Sequence, residues 1–220
     1  MIGCLFFDFD GVVVESAAIK TRAFTALYPD ASLVQLGKVK QHHLENTGIS
    51  RYQKFEWIEK NVFGASLSEI RARQLGERFS QLVFDAIVKA PLVPGALDLL
   101  VDAQGKIPIY LISGTPQSEL DLIVDRMNMR HFFNQIFGSP SIKAEIIRKM
   151  LIENSADAEF SCFIGDGPTD YEAALATSVR FIARDSGEHK DYWWKLGLDT
   201  VEDLSSLNLN NMLEKSVVLS

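Results

Sequence analysis

The chain has 220 residues, 47% hydrophobic and 23% charged, an ordinary globular balance with room for one core, or a core plus an insert. Its 22 basic against 29 acidic residues give a formal charge of −7, which excludes a nucleic-acid binder built on a basic stripe. An anionic ligand must therefore be held by locally placed cations and a metal rather than by the overall field.

The opening run Cys4 to Phe7 is apolar, aromatic and too short for a helix, and reads as a buried strand. At its end come Asp8 and Asp10, with one residue between them and Gly11 next. In an extended segment residues two apart project to the same side, so both carboxylates can face one small volume. Anions that close repel unless they share a proton or a cation, and Mg²⁺ suits such a pair. Gly11 permits a sharp turn and brings bare amides near any ligand. On this stretch alone, solvated turn residues remain an alternative.

From Ser16 to about Ala90 the pattern is helical. Ile19, Ala23, Phe24 and Leu27 share a face until Tyr28-Pro29-Asp30 stops the run. Ser50 can cap a second segment carrying Phe55, Ile58 and Val62, closed by Gly64. Ser66 and Glu69 have the spacing of a capping box opening a third, with Phe79, Val83 and Ile87 on its stripe. Adjacent histidines point different ways on a helix, so His42-His43 reads as a polar surface pair rather than a metal site.

After Pro91-Leu92-Val93-Pro94-Gly95 the chain alternates. Helices are expected at Ala96 to Val101, around Leu120 to Met127, around Ile146 to Leu151, and at Ala173 to Ala176. Strands are expected at Ile107 to Ile112, Gln135 to Phe137, Cys162 to Ile164, and Val179 to Ala183. Alternation means right-handed crossovers and a doubly wound parallel sheet, an α/β Rossmann-like core with an inserted all-helical cap. Residues 1–15 plus 92–220 would form the core and 16–91 the cap. In the tail, Trp193-Trp194 is expected on the sheet's flank, with a strand remnant and helix within Val201 to Leu213. Cys4 and Cys162 lie inside strand-like runs and read as reduced thiols. No run reaches membrane-spanning length and no signal peptide is legible, so a soluble cytoplasmic protein with no membrane partner is expected.

Ligands bind beyond the carboxyl ends of parallel strands, and each end here carries chemistry. The first carries Asp8, Asp10 and Gly11. The second carries Ser113-Gly114-Thr115-Pro116, a hydroxyl and glycine leading into a helix with Pro at its first position, which is either an anion site or a plain N-cap. The third leads to Lys143 in a first helical turn, where a cation is misplaced unless an anion sits beside it, or unless it is simply solvated. The fourth carries Gly165-Asp166-Gly167-Pro168-Thr169-Asp170. Together these fit attack on a phosphate monoester by Asp8, giving an aspartyl-phosphate. Mg²⁺ would sit on Asp8, Asp166 and the Asp10 carbonyl. Ser113, Lys143 and amides near Gly11 and Gly114 would hold phosphoryl oxygens, with Asp10 as acid and then base.

Asp8-Phe9-Asp10-Gly11, Ser113-Gly114-Thr115, Lys143 and Gly165-Asp166-Gly167-Pro168-Thr169-Asp170 resemble the four motifs of the haloacid dehalogenase-like superfamily. Their order fits members with a helical cap after the first motif, most closely the phosphoglycolate phosphatase and β-phosphoglucomutase group. The resemblance implies Asp8 as nucleophile, Asp10 as acid/base, Ser113 and Lys143 as phosphate ligands and Asp166 as metal ligand, with Asp170 on the metal side or just behind it. Thr47-Gly48-Ile49-Ser50-Arg51 resembles the group's specificity loop, in which the arginine reaches a substrate phosphate or carboxylate; for Arg51 a solvated helix residue is the alternative. Glu15 stands where relatives carry Asp, and Lys20 near a histidine of the mutases. The expected function is a Mg²⁺-dependent phosphatase for a small phosphorylated metabolite. A phosphosugar mutase is the alternative, and a catalytically silent regulatory protein a third reading.

Overall fold

The computed structural model describes residues 3–213. Leu5–Phe7 forms β1, and its three side chains are buried on alternating sides. Leu5 and Phe7 join one apolar cluster and Phe6 the other, so β1 is covered on both faces as a central parallel strand must be. The other strands are β2 (Ile109–Pro116), β3 (Gln135–Ser139), β4 (Cys162–Gly165), β5 (Arg180–Arg184) and β6 (Thr200–Val201). They pair in the order β3-β2-β1-β4-β5-β6, each pair parallel. β1 thus lies between β2 and β4, and the connections leave it toward both sheet edges.

One face is packed by α5 (Ala96–Ala103) and α6 (Gln117–Arg126) through Leu99, Leu100, Leu120, Ile123 and Val124. The other is packed by α7 (Lys143–Glu153) and α8 (Pro168–Thr177) through Ile146, Ile147, Met150 and Ala174. The sheet is doubly wound, as its alternating pattern requires. Burial pushes the thiols of Cys4 and Cys162 up to about 11 and about 12, so both are inert. Among the described residues no helix is long and apolar enough to cross a membrane.

Between β1 and β2 the chain forms α1 (Ala17–Ala26), α2 (Leu33–Glu45), α3 (Arg51–Val62) and α4 (Glu69–Val88). Phe24, Phe55 and Phe79 meet in their middle. The strands of chain leading in and out run side by side: Val93 N–H donates to Val13 and Glu15 N–H to Pro91.

Several sequence expectations need correction. α2 is a separate helix that the periodicity does not reveal, and its Ser32 and Gln35 form the capping box. The expected box at Ser66 is absent, because Ser68 caps α4 by accepting the Arg71 amide. β2 continues through Ser113-Gly114-Thr115 to Pro116, and the next helix begins only at Gln117. His42 and His43 are buried rather than on the surface, His42 stacked 3.8 Å from Trp57 and His43 4.4 Å from Phe24. Of the tryptophan pair only Trp193 packs on the sheet, against Phe181, while Trp194 is exposed. Thr200–Val201 and α9 (Lys190–Leu196) and α10 (Leu209–Leu213) account for the described tail.

Candidate active site

The carboxyl ends of β1, β2 and β4 meet at one edge of the sheet beneath the inserted helices. Carboxylate oxygens of Asp8, Asp166 and Asp170 lie within 4.8 Å of one another, all three buried. Burial pushes the Asp8 carboxyl up to about 7, opposed by Lys143 and reinforced by Asp170 and Asp10. Asp166 is pushed well above the usual carboxylate range by burial, with Asp8 and Asp170 adding to it. Both shifts are led by burial, and repulsion among the carboxylates adds to it.

The Lys143 ammonium lies 3.1 Å from Asp8 Oδ1 and 2.5 Å from Asp170 Oδ1. Burial alone would lower its pKa, but Asp170 and Asp8 outweigh it and keep the ammonium charged. Asp8 Oδ1 still accepts no well-formed hydrogen bond. Three buried carboxylates gathered around one ammonium are what a hard divalent cation fits, since their oxygens can then serve as ligands. Asp170 is also engaged behind the cluster, where it accepts the Gly167 amide at 3.1 Å and anchors the start of α8.

Asp10 is handled differently. Its Oδ1 accepts from Ser16 Oγ at 2.6 Å, and its Oδ2 is paired with the Lys20 ammonium. Thr115 Oγ1 donates to Oδ2 at 3.3 Å and itself accepts from Lys20 at 2.6 Å. Burial would raise the Asp10 pKa, but Lys20 and the hydrogen bonds hold it below the ordinary value. Asp8 and Asp10 thus sit two residues apart with oppositely shifted acidities.

Gly11 makes the expected sharp turn, at φ +74°. Its amide donates to Val14 O at 2.8 Å and is not free for a ligand. What the position needs is the missing side chain: at φ +74° a Cβ would lie 2.1 Å from Asp166 Oδ2. Ser113 is buried, and its hydroxyl reaches Thr115 Oγ1 at 3.2 Å and Asp10 Oδ2 at 3.5 Å. Gly114 lets the Gly48 carbonyl come within 2.5 Å of where a Cβ would stand.

That contact belongs to a wider seating of the Thr47-Gly48 loop on the sheet edge. Thr169 Oγ1 donates to Thr47 O at 2.5 Å, and Gly48, at φ +85°, packs over Thr169 and Lys143. Beneath it lies a small cleft of about 60 Å³, its walls including Asp8, Asp10, Asp166, Lys20, Arg51 and Lys54. Arg51 does not present a free guanidinium there. It makes a bidentate pair with Glu119 of α6 at 2.5 and 3.0 Å, bonds Ser80 and stacks over Phe79. Glu15, whose role the sequence leaves open, pairs with Arg184 of β5 at 2.7 Å, and Arg184 also bonds Gly11 O.

Sequence reading passes over the contacts that Ser16 and Thr115 make with Asp10, and over Glu119 and Lys54 altogether. Ser16 lies beside a recognised motif and Thr115 within one, whereas Glu119 gains its place from its pair with Arg51 and Lys54 from His43 and Phe24.

A family model for haloacid dehalogenase-like hydrolases matches residues 2–176. The chain belongs to that family. Solved structures with the same fold include CbbY from Rhodobacter sphaeroides in complex with phosphate, at 18% identity, TM-score 0.73 and coverage of 96% of this chain and 99% of that one. A β-phosphoglucomutase from Clostridium difficile matches at 19% identity and TM-score 0.72, covering 96% and 95%. A predicted phosphoglycolate phosphatase from Haemophilus somnus matches at 17% identity and TM-score 0.64, covering 84% and 86%. This haloacid dehalogenase-like hydrolase therefore shares its fold with both phosphatases and phosphoglucomutases.

Proposed function

We propose that this chain is a Mg²⁺-dependent phosphatase that hydrolyses a small organic phosphate monoester through an aspartyl-phosphate on Asp8. The observation that carries the reading is the pair of carboxylates two residues apart with opposite environments, Asp8 clustered with Asp166 and Asp170 beside Lys143, and Asp10 fully hydrogen-bonded. On this reading residues 16–91 act as the cap and 1–15 plus 92–220 as the catalytic core. Asp8, Asp166, Asp170 and the backbone carbonyl of Asp10 would hold Mg²⁺, which when bound offsets the repulsion between carboxylates and phosphoryl oxygens.

In the first step an Asp8 oxygen forms a bond to phosphorus as the ester P–O bond breaks, and Asp10 gives its proton to the leaving alkoxide. In the second, water attacks the phosphoryl group, its proton goes to Asp10, and the Asp8–phosphorus bond breaks to release inorganic phosphate. Lys143 and Ser113 would hold the transferring oxygens. Asp10 paired with Lys20 is a carboxylate, the form the second step needs. Taking up a proton for the first step requires that pair to open, and Lys20 rides on the inserted helix α1. Cap movement would then time the acid and base roles of Asp10. The inert buried thiols are in keeping with a cytoplasmic setting.

A phosphosugar mutase would use the same Asp8 and Asp10, and the close seating of the Thr47-Gly48 loop, which shelters the site from water, favours it as the second reading. Purified protein incubated with Mg²⁺ and a panel of phosphorylated sugars and short acids decides between them. A phosphatase releases phosphate stoichiometrically, whereas a mutase requires a bisphosphate and releases little.

A further inference from the structure

Arg51 opens α3, where the helix macrodipole disfavours a cation, and Glu119 of α6 answers its charge from the other layer. Both arms of the guanidinium fork are taken, Nη2 by Glu119 Oε1 at 2.5 Å and Nη1 by Oε2 at 3.0 Å. Nη1 also donates to Ser80 Oγ at 2.9 Å, and the Ser80 hydroxyl donates to Glu119 Oε2. The Phe79 ring, its centre 4.5 Å away, covers one face of the guanidinium. Side chains of α3, α4 and α6 thus build this pair together, and Arg51 and Glu119 are only 5% and 10% exposed. An outside anion could take the Arg51 fork only by displacing Glu119, and that would leave a buried carboxylate without its partner.

The other cations of the cleft are answered in the same way. Lys143 is held by Asp170 and Asp8, and Lys20 by Asp10. Lys54 donates to His43 and lies in the opposing field of Asp10 and Glu188. Much of the remaining wall, Phe24, Thr47, Ile49 and Phe79 among it, carries no charge. A second carboxylate or phosphate on the substrate would therefore meet, among the described residues, only cations that already face a carboxylate of the protein. We infer that Glu119 is a specificity-determining residue, an internal anion that occupies Arg51 and excludes substrates with a second charged end. The substrate is then a phosphate monoester of an uncharged alcohol. This deepens the proposed function and rests on it. Rejection works by leaving a buried charge unpaired, which discriminates more strongly than the loss of an apolar contact. A bisphosphate, which the mutase reading requires, is excluded on the same ground. By sequence Arg51 resembles a residue that reaches a substrate anion; in the fold, Glu119 supplies that anion.

Two compounds that resist hydrolysis test this by calorimetric titration with Mg²⁺ present. 3-Hydroxypropylphosphonate ends in an alcohol where 3-phosphonopropionate, with the same number of carbons, ends in a carboxylate. The wild-type protein should bind the alcohol about tenfold or more tightly than the carboxylate. Glu119→Gln keeps the shape and frees the Arg51 charge, so it should tighten the carboxylate compound about tenfold while shifting the alcohol less than about threefold. Arg51→Met combined with Glu119→Met offers the carboxylate no cation and should keep the wild-type preference. Thermal unfolding confirms that each variant is folded, and the wild-type and double-variant titrations still decide the matter if Glu119→Gln alone does not fold. Equal or reversed affinities in the wild type, no gain of the carboxylate compound in Glu119→Gln, an equal gain in the double variant, or binding of neither compound would overturn the assignment. The readout needs no turnover, so absent phosphate release from p-nitrophenyl phosphate would sink the phosphatase reading while leaving the binding preference to be judged separately.

Discussion

Lys20 of the inserted helix α1 and Asp10 at the end of β1 form an ion pair across the cleft, with only 15% and 13% of their side chains exposed. The pair ties the position of an entire helical layer to the protonation of one carboxylate. Ser16 and Thr115 complete the shell around Asp10, so the group has no further free oxygen.

Replacing Lys20 by Met should therefore act on turnover more than on binding. General acid–base catalysis is worth on the order of 10²–10⁴ in rate, and misplacing Asp10 should remove about 10²-fold from kcat with KM changed only a few-fold. Steady-state kinetics on any accepted phosphate ester check this. A rise in KM at unchanged kcat would instead make Lys20 a substrate ligand.

The Arg51–Glu119 pair predicts an asymmetric response. Arg51→Met or Glu119→Gln alone leaves one buried group uncompensated and should cost about 3–5 kcal/mol in unfolding free energy. Arg51→Met combined with Glu119→Met removes both charges and should recover most of that loss. Denaturant unfolding of the two single variants and the double variant gives the coupling directly. Additive losses would show that the two side chains stabilise independently.

Lys54 predicts a pH-dependent stability change. Its pKa falls from the ordinary lysine value of 10.5 to about 7, through burial first and then Lys20, with Asp10 and Glu188 opposing and Arg51 adding to the fall. His43 and the Phe24 ring, which also face it, bring no negative charge. Below pH 7 both native and unfolded chains carry the proton, and the full cost of the buried charge is present. Between about pH 7 and 10.5 only the unfolded chain keeps it, so this contribution makes stability rise with pH. At 1.36 kcal/mol per unit the change amounts to a few kcal/mol. Lys54→Met should thus be more stable than wild type at pH 6, with the gap shrinking toward pH 10. A gap independent of pH would contradict this.

The clustered carboxylates of Asp8, Asp166 and Asp170 predict that Mg²⁺ stabilises the protein, by about 2.7 kcal/mol at a hundred times its dissociation constant. Thermal unfolding with and without Mg²⁺ measures it, and Asp166→Asn should remove most of the rise. An unchanged midpoint in the wild type would show that the cluster holds no cation under those conditions.

The sheet was largely legible because β1, β4 and the first half of β2 are short apolar runs covered on both faces, and because Asp8 and Asp166 follow their strands directly. α2 escaped because its apolar stripe is thin: Val39 is its one buried hydrophobic residue, while Leu33 and Val34 are exposed. Gly11 was noticed for its turn and the amides near it, but its place also depends on the approach of Asp166, which is 155 residues away and invisible in sequence. The Arg51–Glu119 pair joins a helix of the insert to one after β2, so no local spacing encodes it. Long-range pairings of this kind arise only when two layers pack, and they decide which cations remain available to a ligand.

The central claim is that Asp8 carries the phosphoryl group, and rapid acid quenching during turnover with Mg²⁺, followed by peptide mass spectrometry, tests it most directly. The account predicts one added phosphoryl group on the peptide containing Asp8, absent from Asp8→Asn, which should also release no phosphate. Phosphate release by Asp8→Asn at the wild-type rate, or a phosphoryl group trapped on another residue, would contradict it.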